Sequence, residues 1–383
     1  METKPWLNSY PQGVPHEVDV SQYTSLVDLL EESFRKNARS PVSVCMEEWM
    51  TYAQLDELSA AMGAWLQAQG LEPGARVALM MPNVPQFMVG MAAILRAGYT
   101  CVNVNPLYTA RELEHQLKDS GATAILILEN FASTLEEVIA HTGIRHVVLA
   151  SFGDLLGFWY GRWMTFAVRH LAKMVPAFRL PYEGPQGGIQ VVSFRQALTE
   201  GHGKPLRRAT VGHDSIAFLQ YTGGTTGLSK GAVLTHGNVI AATLQAEAWF
   251  TPALHRISDI RKANCIAALP LYHIFALTLS LLTLRWGAHM TMIPNPRDIP
   301  KFVEVLKKRP FHLLPAVNTL FNALLQNQQF RNLDFSQLMV SQAGGMAASE
   351  GTAKHWLAVT GCPMIEGWGM SETCAIGTNN PVT

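Results

Sequence analysis

One short stretch of the sequence combines glycine, threonine and lysine in a pattern suited to binding phosphate. Residues 221–231 read Tyr-Thr-Gly-Gly-Thr-Thr-Gly-Leu-Ser-Lys-Gly. The glycines allow a tight turn with successive N–H groups directed inward, the threonines add hydroxyl donors, and Lys230 adds a positive charge. The run is not a Walker loop, because Gly231 follows the lysine and a strand, not a helix, is expected beyond it. A glycine-rich hairpin without chemistry is the alternative, but the composition of the whole run favours a polyphosphate site.

Three further segments carry residues that could act on a carboxylate or a nucleotide. His273 lies in the apolar run Leu-Pro-Leu-Tyr-His-Ile-Phe-Ala-Leu at 269–277. A glycine pair stands at 344–345, within Gln-Ala-Gly-Gly-Met-Ala at 342–347. Glu372, in Glu-Gly-Trp-Gly-Met-Ser-Glu-Thr at 366–373, offers the carboxylate oxygens that Mg²⁺ prefers. Each segment has a plainer interpretation, respectively a core histidine, a strand-ending turn and a solvated loop acid.

Taken in this order, the four segments resemble the motifs of the adenylate-forming enzymes, which include acyl-CoA synthetases, peptide-synthetase adenylation domains and firefly-type luciferases. The usual phosphate loop of that superfamily has Ser where this chain has Gly223 and Pro where it has Ser229. The Gly-Gly form is similar to that of bacterial long-chain fatty acyl-CoA synthetases. Residues 98–106 and 112–122 also follow the pattern, so the resemblance extends from about Thr24 onward.

The resemblance implies a set of site residues. Trp368 takes the position of the aromatic ring that stacks on adenine, and Thr222 and Glu372 would lie at Mg²⁺. Leu277 stands where some relatives have a bulky aromatic gate, so gating by that device is not expected. The implied catalytic residues are Lys230, Glu372, Thr222 and His273. The implied nucleotide-binding residues are Thr222, Gly223, Gly224, Thr225, Thr226, Gly227, Lys230, Gly344, Gly345, Met346, Glu366, Gly367, Trp368, Gly369, Met370, Ser371 and Glu372, and the implied acyl-binding residues are His273, Phe275, Leu277 and Trp249.

The implied function is that of a long-chain fatty acid–CoA ligase, which uses ATP and Mg²⁺ to form an acyl-AMP and then transfers the acyl group to CoA. An aryl- or medium-chain acyl-CoA synthetase and a non-catalytic nucleotide- or lipid-binding remnant are the alternatives. An amino-acid-activating module is disfavoured, because no acid that would bind an α-amine stands beside Trp249 and Phe250.

Complete members of the superfamily continue with a Thr-Gly-Asp that binds ribose, a hinge arginine and a small C-terminal domain that supplies a lysine. None of these is found before Thr383. We therefore expect the chain to be incomplete at its C-terminus, to lack the small domain and to form thioester poorly on its own.

The elements that must position these segments are short apolar strands alternating with helices. Strands are predicted at 76–81, 100–104, 123–128, 216–221, 231–234, 263–269 and 290–293, and helices at 24–36, 55–67, 84–96, 111–118 and 299–308. Thr109 and Glu112 form a capping box. This alternation predicts a doubly wound α/β fold.

For the domain organisation, the resemblance implies one adenylation domain over 1–383. It would contain two doubly wound α/β subdomains and a partial β-barrel. Residues 24–150 would form the first subdomain and 206–383 the second, with the phosphate loop.

The composition excludes several other classes of protein. The net charge is zero, which argues against a nucleic-acid partner, and the five cysteines are scattered, which fits a reducing cytoplasm. The first residues contain no apolar core of a secretory signal. The apolar run 265–284 is long enough to span a bilayer, but Pro270 and His273 favour a buried strand, a turn and a buried helix.

Residues 151–188 form an insertion whose first part, 151–180, mixes aromatic and basic side chains, with Asp154 as its only acid. Two interpretations stay open. This part is either an interfacial helix on anionic inner-membrane lipid, or an ordinary helix whose apolar face packs on the sheet. The expected partners are fatty acid, ATP and CoA, and a homodimer is left open.

Overall fold

The computed structural model describes residues 4–180, 188–222, 228–254 and 256–382. The helices are α1 Leu26–Lys36, α2 Tyr52–Ala68, α3 Pro85–Arg96, α4 Ala110–Ser120, α5 Ala132–Val138, α6 Phe158–Phe166, α7 Phe194–Gly201, α8 His236–Phe250, α9 Ile274–Trp286, α10 Ile299–Lys307, α11 Asn318–Gln326, α12 Gln328–Arg331 and α13 Glu350–Thr360. The strands are β1 Pro41–Cys45, β2 Glu48–Thr51, β3 Arg76–Met80, β4 Thr100–Asn103, β5 Ala124–Leu128, β6 His146–Ala150, β7 Gln190–Ser193, β8 Ile216–Tyr221, β9 Gly231–Thr235, β10 Asn264–Ala267, β11 His289–Met292, β12 Leu313–Ala316, β13 Val340–Ala343, β14 Met364–Trp368 and β15 Thr378–Asn379.

These strands form two sheets. The first has the order β7-β6-β5-β3-β4-β8-β9 and is parallel except for β9. The second has the order β15-β14-β13-β12-β10-β11-β1-β2 and is parallel except for its two edge strands. Helices α1, α2, α3, α8 and α9 share one apolar core with the inner faces of both sheets. The outer faces are covered by α4 and α5 on one side, and by α10, α11 and α13 on the other. The result is the expected α/β fold with strands buried on both faces.

The sheets do not follow the expected division of the chain. β1 and β2, within 24–150, join the second sheet, and β8 and β9, within 206–383, join the first. The phosphate loop therefore connects strands of the first sheet. Each sheet thus draws strands from both ranges, and the division into subdomains 24–150 and 206–383 stays a prediction. The strands assigned in the described residues all belong to these two sheets, and the partial barrel stays a prediction.

The predicted local elements are confirmed to within a few residues. Thr109 accepts the N–H of Glu112 while the Glu112 carboxylate accepts the N–H of Thr109, which completes the capping box. The apolar run 265–284 folds as β10, a turn and the buried helix α9. Among the described residues, no helix is long and apolar enough to cross a membrane.

The aromatic-basic insertion exposes its aromatic face. Helix α6 and the π-helical turn that follows bury little more than Gly161 and Met164, while Trp159 is 81% exposed. The inner side is held by polar contacts, in which Arg169 pairs with the buried Glu129 and Arg195 pairs with Asp154. The interpretation that the apolar face packs on the sheet is therefore wrong for these rings. The exposed apolar side chains are Phe158, Trp159, Tyr160, Trp163, Phe166, Leu171 and Met174.

Candidate functional site

A cavity of about 850 Å³ lies where α8, the start of α9 and the ends of β13, β14 and β15 meet. Among the predicted site residues it is lined by Trp249, His273, Phe275, Gly344, Gly345, Gly367, Gly369, Met370 and Ser371. Segments predicted from separate parts of the sequence thus meet at one place, at the carboxyl ends of strands, where open α/β sheets bind ligands.

The ends of the phosphate loop are fixed by their own strands and by α4. The backbone N–H of Thr222 donates to the carbonyl of Lys230 over 3.0 Å, and the Ser229 hydroxyl donates to the carbonyl of Thr222. From α4, His115 contacts the carbonyl of Ser229 at 2.8 Å. Lys230 is exposed and free of ion pairs with the described residues. The predicted nucleotide ligands Gly223, Gly224, Thr225, Thr226 and Gly227 lie outside the described residues.

Glu372 lies in a short 3₁₀ turn, Ser371–Thr373, that packs against β9 and so comes next to the exit of the phosphate loop. Its carboxylate is exposed and, within the described part of the chain, makes neither a hydrogen bond nor an ion pair. The same part holds no cluster of three or more His, Cys, Asp or Glu side chains suited to a metal. A carboxylate outside such a cluster suits Mg²⁺, which takes many of its oxygen ligands from phosphate and water.

His273 caps the N-terminus of α9 at the edge of the cavity. Its Nδ1 accepts the backbone N–H of Phe275 at 3.3 Å, and desolvation by the surrounding walls lowers its pKa. The imidazole is therefore neutral at pH 7 and faces the cavity beside the positive end of a helix dipole, which favours a carboxylate there.

Four of the predicted site residues, Leu277, Trp368, Met346 and Glu366, do not line the cavity. Leu277 is fully buried in α9 and does not line the cavity, because it lies on the helix face turned toward the core. Trp368 is 57% exposed, and its ring lies against Gly377, where an added Cβ would come within 2.4 Å of it. Met346 is also exposed, and Glu366 accepts the backbone N–H of Ala348 at 2.8 Å. These three nucleotide-binding assignments stay predictions, since none of the three residues lines the cavity.

Buried amides that the motif search missed hold the His273 segment in place. Asn83 donates to the carbonyls of Ala267 and Leu269 and accepts the N–H of Leu271, all at 2.8–2.9 Å. Gln220 of β8 donates to the carbonyl of Tyr272 at 2.8 Å. The first sheet thus fixes a loop of the second. In the sequence, Asn83 had no signal beyond a turn before Pro85.

The second missed feature is the N-terminal segment, residues 4–22, which forms one wall of the cavity. Its lining residues are Trp6, Ser9, Tyr10, Val14, Pro15, His16, Glu17 and Val18. The Tyr10 ring meets the Trp249 ring edge to face, with centroids 5.2 Å apart. The segment lacks helical or strand periodicity, so the sequence offered no basis for placing it. One acid close to Trp249, Glu247, is paired with Arg285 at 3.3 Å and is not a lining residue.

Residues 30–383 match the AMP-binding enzyme family, and the chain belongs to that family. Its curated relatives include long-chain-fatty-acid–CoA ligases of Escherichia coli O157:H7, at 47% identity over 380 residues, and of Haemophilus influenzae, at 46% over 371 residues. The chain spans 66% of the length of the first and 64% of the second, while the alignments cover 99% and 96% of this chain.

Solved structures share the fold. A long-chain-fatty-acid-CoA ligase from Archaeoglobus fulgidus aligns with a TM-score of 0.77 at 22% identity, over 97% of this chain and 69% of that one. An anthranilate CoA ligase solved with anthranoyl-AMP aligns with a TM-score of 0.76 at 21% identity, over 95% of this chain and 64% of that one.

Proposed function

We propose that the protein is a long-chain fatty acid–CoA ligase that activates a fatty acid with ATP and transfers it to CoA. The observation that carries the proposal is the single cavity that joins His273, the glycine turn at 344–345 and the 367–371 segment. Its lining combines glycine and polar residues from 342–345 and 367–371 with apolar residues such as Trp249, Phe250 and Leu279, as an acyl-adenylate requires. The relatives at 46–47% identity are named for long-chain fatty acids.

The chemistry follows from the weakness of a carboxylate as an acylating agent. A carboxylate oxygen forms a bond to the α-phosphorus of ATP, the bond to pyrophosphate breaks, and the leaving charge stays on pyrophosphate. The CoA thiolate then attacks the acyl carbon and AMP leaves. Catalysis rests on positioning and on neutralising charge, for which Lys230 and the donors of 222–227 are the proposed groups.

Mg²⁺ is the implied metal, with Glu372 as its carboxylate ligand and Thr222 as a second protein ligand. When bound, it would neutralise negative charge on the phosphates. The Thr222 hydroxyl rests 3.4 Å from the carbonyl of Lys230, a weak contact that a metal or phosphate would readily replace.

The test compares substrates and variants. Pyrophosphate exchange into ATP is measured with palmitate, octanoate, benzoate and amino acids, and calorimetry measures binding of ATP and of a palmitoyl-sulfamoyl-adenosine, a stable acyl-adenylate analogue. We expect palmitate to be preferred, and Lys230→Ala and Glu372→Gln to lower exchange at least tenfold. Lys354→Ala, an exposed lysine of α13, is the matched control. A preference for benzoate would assign an aryl-CoA synthetase, and absence of exchange with retained binding would assign a non-catalytic binding protein.

We further propose that the protein is cytoplasmic and that residues 151–180 attach it peripherally to inner-membrane lipid. The exposed rings of α6 support this, since apolar side chains next to cations suit the interface of an anionic bilayer. Arg162 lies 5.6 Å from the Phe158 ring centroid, so charge and apolar surface coincide.

Sedimentation with vesicles tests this attachment. Trp159→Ser with Trp163→Ser is expected to lower binding to phosphatidylglycerol vesicles at least fivefold, whereas Leu357→Ser, an exposed apolar residue of α13, has no effect. Equal binding of all variants would contradict the proposal. Sedimentation velocity without vesicles tests the homodimer, which stays a prediction.

A further inference from the structure

The N-terminal segment, residues 4–22, shares a cavity with the proposed chemistry although no motif includes it. Trp6, Tyr10, Val14 and Val18 line the same space as His273. Val14 is buried, which places part of the segment inside the molecule rather than on its surface.

The segment is held firmly at one end and lightly at the other. At the firm end the Tyr23 hydroxyl donates to Glu32 at 2.9 Å, and its ring lies 5.1 Å from the Arg285 guanidinium. The weakly held end is the short 3₁₀ helix Pro5–Ser9, whose residues are mostly exposed. Here Lys4 forms an ion pair with Glu17, with Nζ and Oε1 3.4 Å apart. An exposed pair of this kind contributes little stability. The segment therefore stays in place mainly through the contacts of its apolar side chains.

The principal contact is an aromatic pair. Tyr10 meets Trp249 of α8 edge to face, and the Trp249 indole N–H donates to the carbonyl of Asn380 at 2.9 Å. The pair thus joins the N-terminal segment, α8 and the chain after β15. All three of these parts of the chain line the cavity, so the ring pair connects them into one wall of the cavity.

The lining differs in chemistry from one part to the next. Glycine and polar groups come from 342–345 and 367–371, as the nucleotide and the carboxylate need. The N-terminal segment brings five apolar or aromatic residues, Trp6, Tyr10, Val14, Pro15 and Val18, together with the polar residues Ser9, His16 and Glu17. Helices α8 and α9 add Phe250 and Leu279 to the apolar lining. Hydrocarbon is the part of an acyl-adenylate that such a surface would contact.

Resting on the proposed function, we propose that the N-terminal segment covers the acyl part of the cavity, and that Tyr10 and Trp249 determine specificity for long chains. Each methylene buried against this wall improves affinity about fourfold. Acyl chains that are too short to reach the wall gain no affinity from it.

The test uses acyl-sulfamoyl-adenosines with acyl chains of 8, 12 and 16 carbons, whose binding to the purified protein is measured by calorimetry. Tyr10→Ala is expected to weaken binding of the 16-carbon ligand at least tenfold and of the 8-carbon ligand less than twofold. Leu357→Ala, which replaces an exposed apolar residue of α13 away from the cavity, is the control and leaves all three affinities unchanged. Thermal unfolding verifies that each variant folds.

Trp249→Phe provides an independent variant, because it keeps an aromatic ring beside Tyr10 but removes the hydrogen bond to Asn380 and part of the ring surface. We expect the same dependence on chain length with a loss of about threefold for the 16-carbon ligand. Equal effects on all chain lengths, or unchanged binding of the 16-carbon ligand, would overturn the proposal. If the unmodified protein bound none of the three ligands, the proposed function itself would fail instead.

Discussion

At the scale of single residues, two glycines of the candidate site, Gly344 and Gly367, are required by close packing and not by turn geometry. A Cβ at Gly344 would lie 2.7 Å from the Phe275 ring, and one at Gly367 would lie 2.6 Å from the side chains of Asn379 and Gln342. Neither glycine has a positive φ. Because glycine has no Cβ, these two positions leave space for the neighbouring side chains and keep the cavity open.

The first prediction concerns Gly344→Ala. The added methyl must displace the Phe275 ring, which lines the cavity, so we expect binding of palmitoyl-sulfamoyl-adenosine to weaken at least tenfold. The free energy of unfolding should fall by only about 1–2 kcal/mol, because the ring can move into the cavity. Gly351→Ala on α13, where nothing lies within 4 Å of the new methyl, is the control and should stabilise slightly. Unchanged ligand affinity in Gly344→Ala would contradict this account, and calorimetry with urea unfolding measures both quantities.

At the scale of elements, the loop that carries His273 depends on buried amide side chains from the other sheet, chiefly Asn83. Asn83→Ala would leave the carbonyl of Leu269 and the N–H of Leu271 without their partner in the interior, while the carbonyl of Ala267 would keep only the N–H of Ile293. We expect a loss of about 3 kcal/mol in urea unfolding and weaker binding of the acyl-adenylate analogue. Asn322→Ala, on an exposed face of α11, should change stability by less than about 0.5 kcal/mol. A similarly small effect for Asn83→Ala would show that the loop is held by other contacts.

The junction of α1 and α8 makes stability depend on pH. His236, 1% exposed, accepts the backbone N–H of Leu26 with Nδ1 at 3.1 Å, and burial lowers its pKa to about 4. The unfolded chain, with a pKa of about 6.5, takes up the proton first as pH falls, so the free energy of unfolding decreases between pH 6.5 and 4. By pH 5 this histidine alone accounts for a loss of about 2 kcal/mol.

His236→Gln removes the titration and keeps an acceptor for Leu26. Urea unfolding at pH 7 and pH 5 should therefore show a smaller acid-induced loss in this variant than in the unmodified protein. His202→Gln, which replaces an exposed histidine, should leave the loss unchanged. Burial also lowers the pKa of His289 to about 4 and lowers the pKa values of His273 and His312, so these histidines add to the loss in the same direction. An identical loss in His236→Gln and the unmodified protein would contradict this assignment.

How much the sequence revealed depends on whether a feature is local. The capping box at Thr109 and the break between β10 and α9 were predictable, because apolar periodicity and turn residues act within a few positions. The composition of the run around Lys230 is equally local and predicted a phosphate site, which stays a prediction. The roles of Asn83 and Tyr10 exist only through partners more than 180 positions away, Leu269 and Trp249, and no local pattern encodes such a pairing.

At the scale of the whole molecule, the two sheets are interlocked by strands from opposite ends of the sequence. Ser43 of β1 pairs with Met290 of β11, and Cys101 of β4 pairs with Phe218 of β8. Cutting the chain near residue 206 would therefore break a strand pair in each sheet and leave an unpaired edge strand in both. Each half would also lose part of the shared core to which α1, α2, α8 and α9 contribute. Neither half retains a complete set of layers.

The interlocking predicts that residues 4–205 and 206–382, expressed separately, unfold without a cooperative transition in urea, because unpaired parallel strands and half a core cannot offset the loss of chain entropy. Mixing the two should restore a cooperative transition and a one-to-one complex in sedimentation. Residues 23–382 serve as the control. That chain lacks the N-terminal segment but keeps every strand of both sheets, so it should unfold cooperatively while losing affinity for the 16-carbon ligand. A sharp urea transition in either half alone would contradict the interlocking, since it would mean that one sheet reaches a stable core without strands from the other half of the chain.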